Sequence, residues 1–318
     1  MPFRYVNGHN RSNLILKWSA RNKPVISVRS GDTVTMDVPD SSTDQVSLGS
    51  PYSAVSVKDP SYTDAAVGPV FVEDAKKGDI LKVEILDIWC GNWGWSMHTP
   101  DFGLLADMFG EPAMYYWTIQ GGFARPYRNS FLKGISLRIK PFMGVMGVAP
   151  PEGEEYALIP PQFFGGNMDN RMLRQGSTVY FPVHTEGALF AASDTHALQG
   201  DGEVCGTAIE TSSKIRLRLS VVRERSALKA PFVVSRGIVE ERKLYSTSGI
   251  SSDLYTASRL AVIQMIDLME EAGLSRSEAY VLCSIAGSLS IREIVDRPNW
   301  NVSFSIESSI LEKIGITL

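Results

Sequence analysis

The sequence predicts a β-rich α+β protein: a β-sandwich-like body followed by a C-terminal helical appendage. Three observations carry that prediction. Much of the chain before residue 240 falls into short stretches of two-residue alternation separated by turn signals. The 318 residues include 27 glycines and 17 prolines, the supply of turn formers that many short strands require. Around Ser252 the hydrophobic period changes from that of a strand to that of a helix. A boundary near Val239 therefore separates a β-rich body, residues 1–239, from an α+β appendage, residues 240–318.

Taken in order, residues 1–24 are polar and end in Lys23–Pro24, an arm with an early strand around Leu14 to Trp18. Residues 25–28 form a short strand, Ser30–Gly31–Asp32 a turn, and residues 33–38 alternate again. Residues 41–61 are rich in Ser, Asp and Pro and read as a long loop. Residues 80–88 are the clearest strand of the first half. Ile80, Leu86 and Ile88 on one face and Leu81, Val83 and Ile85 on the other leave neither face purely polar, which predicts a central strand. Residues 89–112 break the rhythm with Trp89, Trp93 and Trp95 among glycines. They read either as an irregular pocket wall or as an aromatic mini-core under a long loop. Residues 214–221 alternate cleanly, with Ile215, Leu217, Leu219 and Val221 inward and Lys214, Arg216 and Arg218 in water.

The helical pattern of residues 253–272 ends at Gly273, and Ser275-x-x-Glu278 is a capping box that opens a second helix. Arg297–Pro298–Asn299 is a turn, and residues 300–306 alternate as a last strand. Leu260, Ala261, Val262, Ile263, Met265 and Ile266 make the first helix apolar most of the way round, so it needs cover on more than one side. That cover is either the same chain or a second subunit, and the expectation is a homo-oligomer.

Composition excludes several classes. A formal net charge of -4 offers no basic field to nucleic acid. No run of about 18 apolar residues is present, so no membrane helix is expected. The three cysteines, Cys90, Cys205 and Cys283, are widely spaced and make a poor disulfide framework. With no apolar signal core at the amino terminus, they point to the reducing cytoplasm.

The stretch from Phe181 to Glu210 gathers the chemistry. It reads as two strands joined by the turn Gly200–Asp201–Gly202. Ala188, Phe190, Ala192, Asp194 and His196 share one parity, and Glu203, Cys205 and Thr207 share another after the turn. Upstream, Gly165–Gly166–Asn167–Met168–Asp169 adds an amide and an acid on a glycine loop.

These residues resemble the acetamidase/formamidase family. The resemblance rests on GGNMD at 165–169, on the ALF–D–H pattern at 188–196 and on QGDGEVCGTAIE at 199–210. It also rests on GPVFVEDAKKGDILKVEILDI at 68–88, PFMGVMGVAPPEG at 141–153 and GLSRSEAYVLCSIAGSLSIREIVDRPN at 273–299. The last of the three long motifs at 165–210 is far more specific than a lone glycine pattern. The resemblance implies hydrolysis of small aliphatic amides to a carboxylate and ammonia, on a β-rich fold with a bound divalent metal. Family members often carry His-x-x-Thr-Gly-Pro where this chain reads Thr63–Asp64–Ala65–Ala66–Val67–Gly68–Pro69, so that histidine is lost here.

Amide hydrolysis needs an electrophilic carbonyl and a protonated leaving nitrogen. A Lewis-acid metal that activates water meets the first need, and a carboxylate acid/base meets the second. Asp169, Asp194 and His196 are the expected ligands of a divalent ion, expected to be zinc, since three protein ligands with one open position suit a catalytic metal. Glu203 is the expected acid/base, and Gly166 and Asn167 the expected contacts to substrate. Each has a plainer reading: Asp194 and His196 as a pair holding a turn, Glu203 as a turn acid, the glycines as a tight loop. Cys205 is an alternative nucleophile, or a packed strand residue. A non-catalytic β-sandwich that binds a metal or small ligand is the rival of a different class. Glu210 has the opposite parity to Glu203 and is left outside the expected site.

Overall fold

The computed structural model describes residues 4–55, 59–129, 131–159, 162–171, 173–223, 231–234, 244–293 and 300–316. Val239 and Arg297–Asn299, the expected boundary and the expected turn, lie outside them. The chain is strand-rich, with its two long helices near the C-terminus. It divides into two compact units: Met1–Gly91, Pro141–His196 and Glu210–Gly237 make the first, and Asn92–Lys140, Ala197–Ile209 and Ile238–Leu318 the second.

In the first unit, six strands form one sheet in the order Arg4–Asn7, Thr33–Val38, Ser213–Val222, Ile80–Cys90, Thr178–Pro182 and Phe232–Val234. Ile80–Cys90 is central, paired on both edges. Its mixed faces have a different cause from the one the sequence suggests. Ile85 faces Leu217 but Asp87 faces Arg216, so Leu86 is an extra residue, a β-bulge that reverses the parity. Leu81, Val83 and Ile85 are buried before it, and Ile88 returns to the interior after it. The wet face of Ser213–Val222 is as expected: Lys214, Arg216 and Arg218 are exposed between buried Ile215, Leu217 and Leu219.

A second set of strands in this unit carries Phe190–His196 between Phe142–Gly147 on one edge and Ala66–Val72 and Glu210–Thr211 on the other. One continuous buried cluster takes Met36, Leu81 and Leu217 from the first sheet and Val70, Met146 and Phe190 from the second, the arrangement of a sandwich. Because Phe190–His196 is paired on both sides and covered on both faces, all seven of its residues are buried.

The second unit contains an antiparallel meander, Trp93–His98, Ala113–Gln120, Phe123–Pro126 and Leu137–Arg138. The tryptophans therefore lie on strands, Trp89 in Ile80–Cys90 and Trp93 and Trp95 in Trp93–His98, and the irregular stretch begins only after His98. Gly94 stands opposite Trp117, and Trp117 Nε1 donates to Ser96 Oγ at 3.0 Å. The same unit holds a three-stranded sheet, Leu244–Ser251, Trp300–Glu307 and Ser288–Glu293, with the helices Leu254–Glu271 and Arg276–Ala286. Asp253 caps the first helix through Thr256 N–H at 2.7 Å, and Gly273 at φ +99° closes it. The Ser275/Glu278 capping box starts the second as predicted. Ala257, Ala261, Val262, Met265, Ile266 and Met269 of the first helix are buried within the chain, and Leu260 is exposed. Among the described residues no helix is long and apolar enough to cross a membrane.

Candidate active site

The strand Phe190–His196 carries two of the expected ligands. Ladder formation stops its backbone polar groups from needing water, and apolar Phe190, Ala191 and Ala192 bury its first half. Its last turn of chain is unusual. Asp194 stands at φ +57°, which takes its carboxylate out of simple alternation. The expected five-residue parity is corrected on this point and on another: Ala188 and Leu189, at φ +56° and +52°, belong to the turn before the strand.

His196 Nε2 lies 2.9 Å from Asp194 Oδ2 and 3.2 Å from Glu210 Oε2. Glu210 reaches it because Glu210–Thr211 is the returning strand, with Glu210 directly opposite His196. The return was expected at Glu203–Ala208, but that stretch is a series of turns, with Gly202, Glu203 and Gly206 all at positive φ. Three residues with left-handed or glycine backbone within five positions cannot continue a ladder, so the strand begins later. Parity counted from the wrong starting point is what left Glu210 out of the expected site.

The group is held from every side. Ser41 Oγ donates to Glu210 Oε2 at 2.9 Å. The Phe142 ring and the imidazole meet in a T-shaped contact, with centroids 5.0 Å apart and planes at 88°. Asp194, His196 and Glu210 are 3%, 1% and 2% exposed. Burial works against charge on His196, but the carboxylates of Asp194 and Glu210 outweigh it and hold its pKa well above the usual value. Burial raises Asp194 well above a normal carboxyl; His196 offsets part of this, and Glu210 and Asp64 add to it. Asp64 is a further acid of the group. Burial, then Glu210 and Asp169, push it up to about 8 against the pull of His196. Its backbone is pinned at φ +56° by its own N–H to Ser41 O at 2.8 Å and by Ser193 Oγ to its carbonyl at 3.3 Å.

The donor set fits a divalent cation. One ligand atom each from Asp194, His196 and Glu210 lie within 4.8 Å of one another. Asp194 Oδ1 is buried with no hydrogen-bond partner among the described residues, an expensive condition for a carboxylate oxygen and one that a cation relieves. Imidazole with carboxylates suits zinc and related divalent ions.

A family model for the acetamidase/formamidase family matches residues 6–155 and 152–313. The chain belongs to that family. It is 26% identical to a formamidase of Methylophilus methylotrophus over 96% of this chain and 89% of the relative. It is 32% identical to the solved acetamidase of Bacillus halodurans, covering 98% of this chain and 100% of that one, with a TM-score of 0.67. The fold is also that of the γ-lactamase from Delftia acidovorans, with a TM-score of 0.89 over 98% and 92% of the two chains at 22% identity. This acetamidase/formamidase family member is an amidase, a hydrolase of amide C–N bonds.

The remaining expected residues of the amidase are placed as follows. Asp169, at φ +43°, puts a carboxylate oxygen within 4.8 Å of a ring nitrogen of His196. Asn167 stands opposite Val145 on the strand Gly165–Asn167, and its Oδ1 is buried without a hydrogen-bond partner among the described residues. Gly166 is buried in the same ladder opposite Met146. Glu203 and Cys205 belong to the second unit. Glu203 sits in a turn in which Gly206 N–H donates to its carbonyl at 2.8 Å. Cys205 is 1% exposed, with Sγ 3.5 Å from Met97 O and 3.6 Å from Thr207 O. Burial pushes its thiol up to about 11, against the hydrogen bonds of Ser284 and Thr207. His98 is buried and pairs through Nε2 with Ser277 Oγ at 2.6 Å. His9 is exposed, and its Nδ1 lies 2.5 Å from Asp44 Oδ2.

Proposed function

We propose that this amidase hydrolyses small aliphatic amides of the formamide and acetamide type to a carboxylate and ammonia. The observation that carries the reading is the buried His196 with Asp194 and Glu210 on its Nε2, a donor set with a carboxylate oxygen still to be satisfied. Asp169, Asp194 and His196 would hold a divalent metal, zinc by donor type, with Glu210 as an added donor. When bound, the metal supplies Lewis acidity toward the amide oxygen and toward water. Phe142 and the two carboxylates fix the ring of His196. Glu203 takes the proton released by water and gives it to the departing nitrogen. Asn167 offers its amide to the substrate, and Gly166 allows close approach of the backbone.

The rival mechanism makes Cys205 the nucleophile. A thiol this buried and raised to about 11 is a poor source of thiolate at neutral pH, which favours the metal reading. The test is ammonia release from a panel of short amides with and without chelator. Short amides should be consumed and chelator should stop the reaction. Faster cleavage of arylamides or peptides would overturn the substrate class. A homo-oligomer is part of the proposal, resting on exposed Leu260 and Tyr255 of the first long helix; light scattering at micromolar concentration checks it.

A further inference from the structure

The strands Phe142–Gly147 and Phe190–His196 run antiparallel, with Phe142 opposite His196, Met143 opposite Thr195, Val145 opposite Ser193 and Met146 opposite Ala192. Among these described residues the ladder lapses between the second and third of those pairs, where Gly144 meets Asp194. The left-handed backbone of Asp194 turns its side chain toward the bare α-carbon across from it. A methyl group built on Gly144 would overlap Asp194 Oδ2, and would lie 3.1 Å from Asp194 Cγ and 2.7 Å from Asp169 Oδ1. That Asp194 oxygen is the one 2.9 Å from His196 Nε2. The carbonyl of Gly144 also accepts the N–H groups of Met168 at 3.0 Å and Asp169 at 3.2 Å. One residue thus anchors the Asp169 loop through its peptide and makes room for two carboxylates through its missing side chain.

We propose that Gly144 is a positioning residue of the amidase site: its bare α-carbon is the floor on which the Asp194 and Asp169 carboxylates rest, and it sets both their separation and the contact of Asp194 with His196. The proposal rests on the reading that these three residues hold the metal. It differs from an ordinary packing role, which Gly147 illustrates in the same strand. A Cβ on Gly147 would meet Gly166 N at 2.8 Å, Phe164 O at 3.1 Å and the Trp18 ring at 3.1 Å, with no carboxylate among those neighbours. Gly144 is also absent from the residues with left-handed φ, so alanine fits its backbone and only the site is crowded.

The experiment compares Gly144→Ala with Gly147→Ala in the full chain. Gly144→Ala should bind zinc at least tenfold more weakly by calorimetry and lose kcat far more than KM changes. Its crystal structure should show Asp194 turned away from His196. Gly147→Ala should melt at lower temperature yet bind zinc as tightly per folded molecule as the parent. Unchanged zinc affinity and an intact Asp194–His196 contact in Gly144→Ala would overturn the proposal. A cycle on melting temperature guards against a folding defect. If crowding of the carboxylate is the cause, the melting cost of Gly144→Ala should at least halve in an Asp194→Ala background. Equal cost in both backgrounds overturns the proposal. A parent protein that binds no divalent ion would defeat the metal reading instead, and the melting cycle would still decide the role of Gly144.

Discussion

His196 Nε2 lies 2.9 Å from Oδ2 of Asp194, the residue two places before it in the same strand. Residues so spaced in a regular strand rise about 6.6 Å along it, and their side chains stand side by side. The left-handed backbone at Asp194 closes that gap. A strained aspartate in a fully buried strand persists only where the surroundings fix it, and strain of this kind is commonest at functional sites.

His196→Ala should therefore lose metal and activity together. It removes the sole nitrogen donor of the Asp194–His196–Glu210 group and leaves two carboxylates facing each other. Metal content by elemental analysis and ammonia release read the two losses. A variant that keeps its full metal content would sink the ligand assignment.

Asp194, His196 and Asp169 stood out in the sequence, by a two-residue spacing and a glycine loop, and the fold brings carboxylate oxygens of Asp194 and Asp169 close to His196. Glu210 did not, because parity holds only while a strand is regular. Three turn-forming positions, Gly202, Glu203 and Gly206, moved the start of the returning strand. Leu86 shows the same limit in Ile80–Cys90, where one bulged residue exchanged the two faces. Asp64 marked only a departure from the family pattern; its closeness to Glu210 and His196 depends on pairing between strands far apart in sequence.

Ser41 gives a test of Glu210 that leaves every ligand in place. Its hydroxyl donates to Glu210 Oε2 at 2.9 Å in a buried setting. Ser41→Ala should lower stability by about 2 kcal/mol, the usual worth of a hydrogen bond to a charged group. It should also weaken zinc binding, because Glu210 loses its fixed rotamer. Chemical denaturation and calorimetry measure the two effects. No change in either would show that Glu210 is held without Ser41.

Glu203→Gln and Cys205→Ala separate the two mechanisms. Glu203→Gln keeps the side-chain volume but cannot cycle a proton. Its metal content should stay and its turnover fall by roughly two to four orders of magnitude. Cys205→Ala should remain active, since among the described residues the buried thiol is hydrogen-bonded to the main-chain carbonyls of Met97 and Thr207 and to Thr207 and Ser284 side chains. An inactive, well-folded Cys205→Ala that still binds its metal would transfer the nucleophile to sulfur.

The pH dependence of the metal-free protein follows from the raised groups. Asp64 is raised to about 8, and Asp194 and His196 are raised well above their usual values. In each case the folded chain holds the proton more tightly than the unfolded chain. The stability they contribute is present below the unfolded pKa values, about 4 for the carboxyls and about 6.5 for the imidazole, and is lost as pH rises through the folded values. Without metal, the melting temperature should therefore fall as pH climbs from about 5 past the Asp64 value of about 8. Zinc binds the deprotonated donors, so it should flatten or reverse that fall and release protons as it binds. Calorimetric melts across this range, with chelator and with zinc, measure both slopes. A chelated protein that grows steadily more stable from acid to pH 8 would mean that these carboxyls are ionised at no cost, and that their burial with His196 is not the source of their tension.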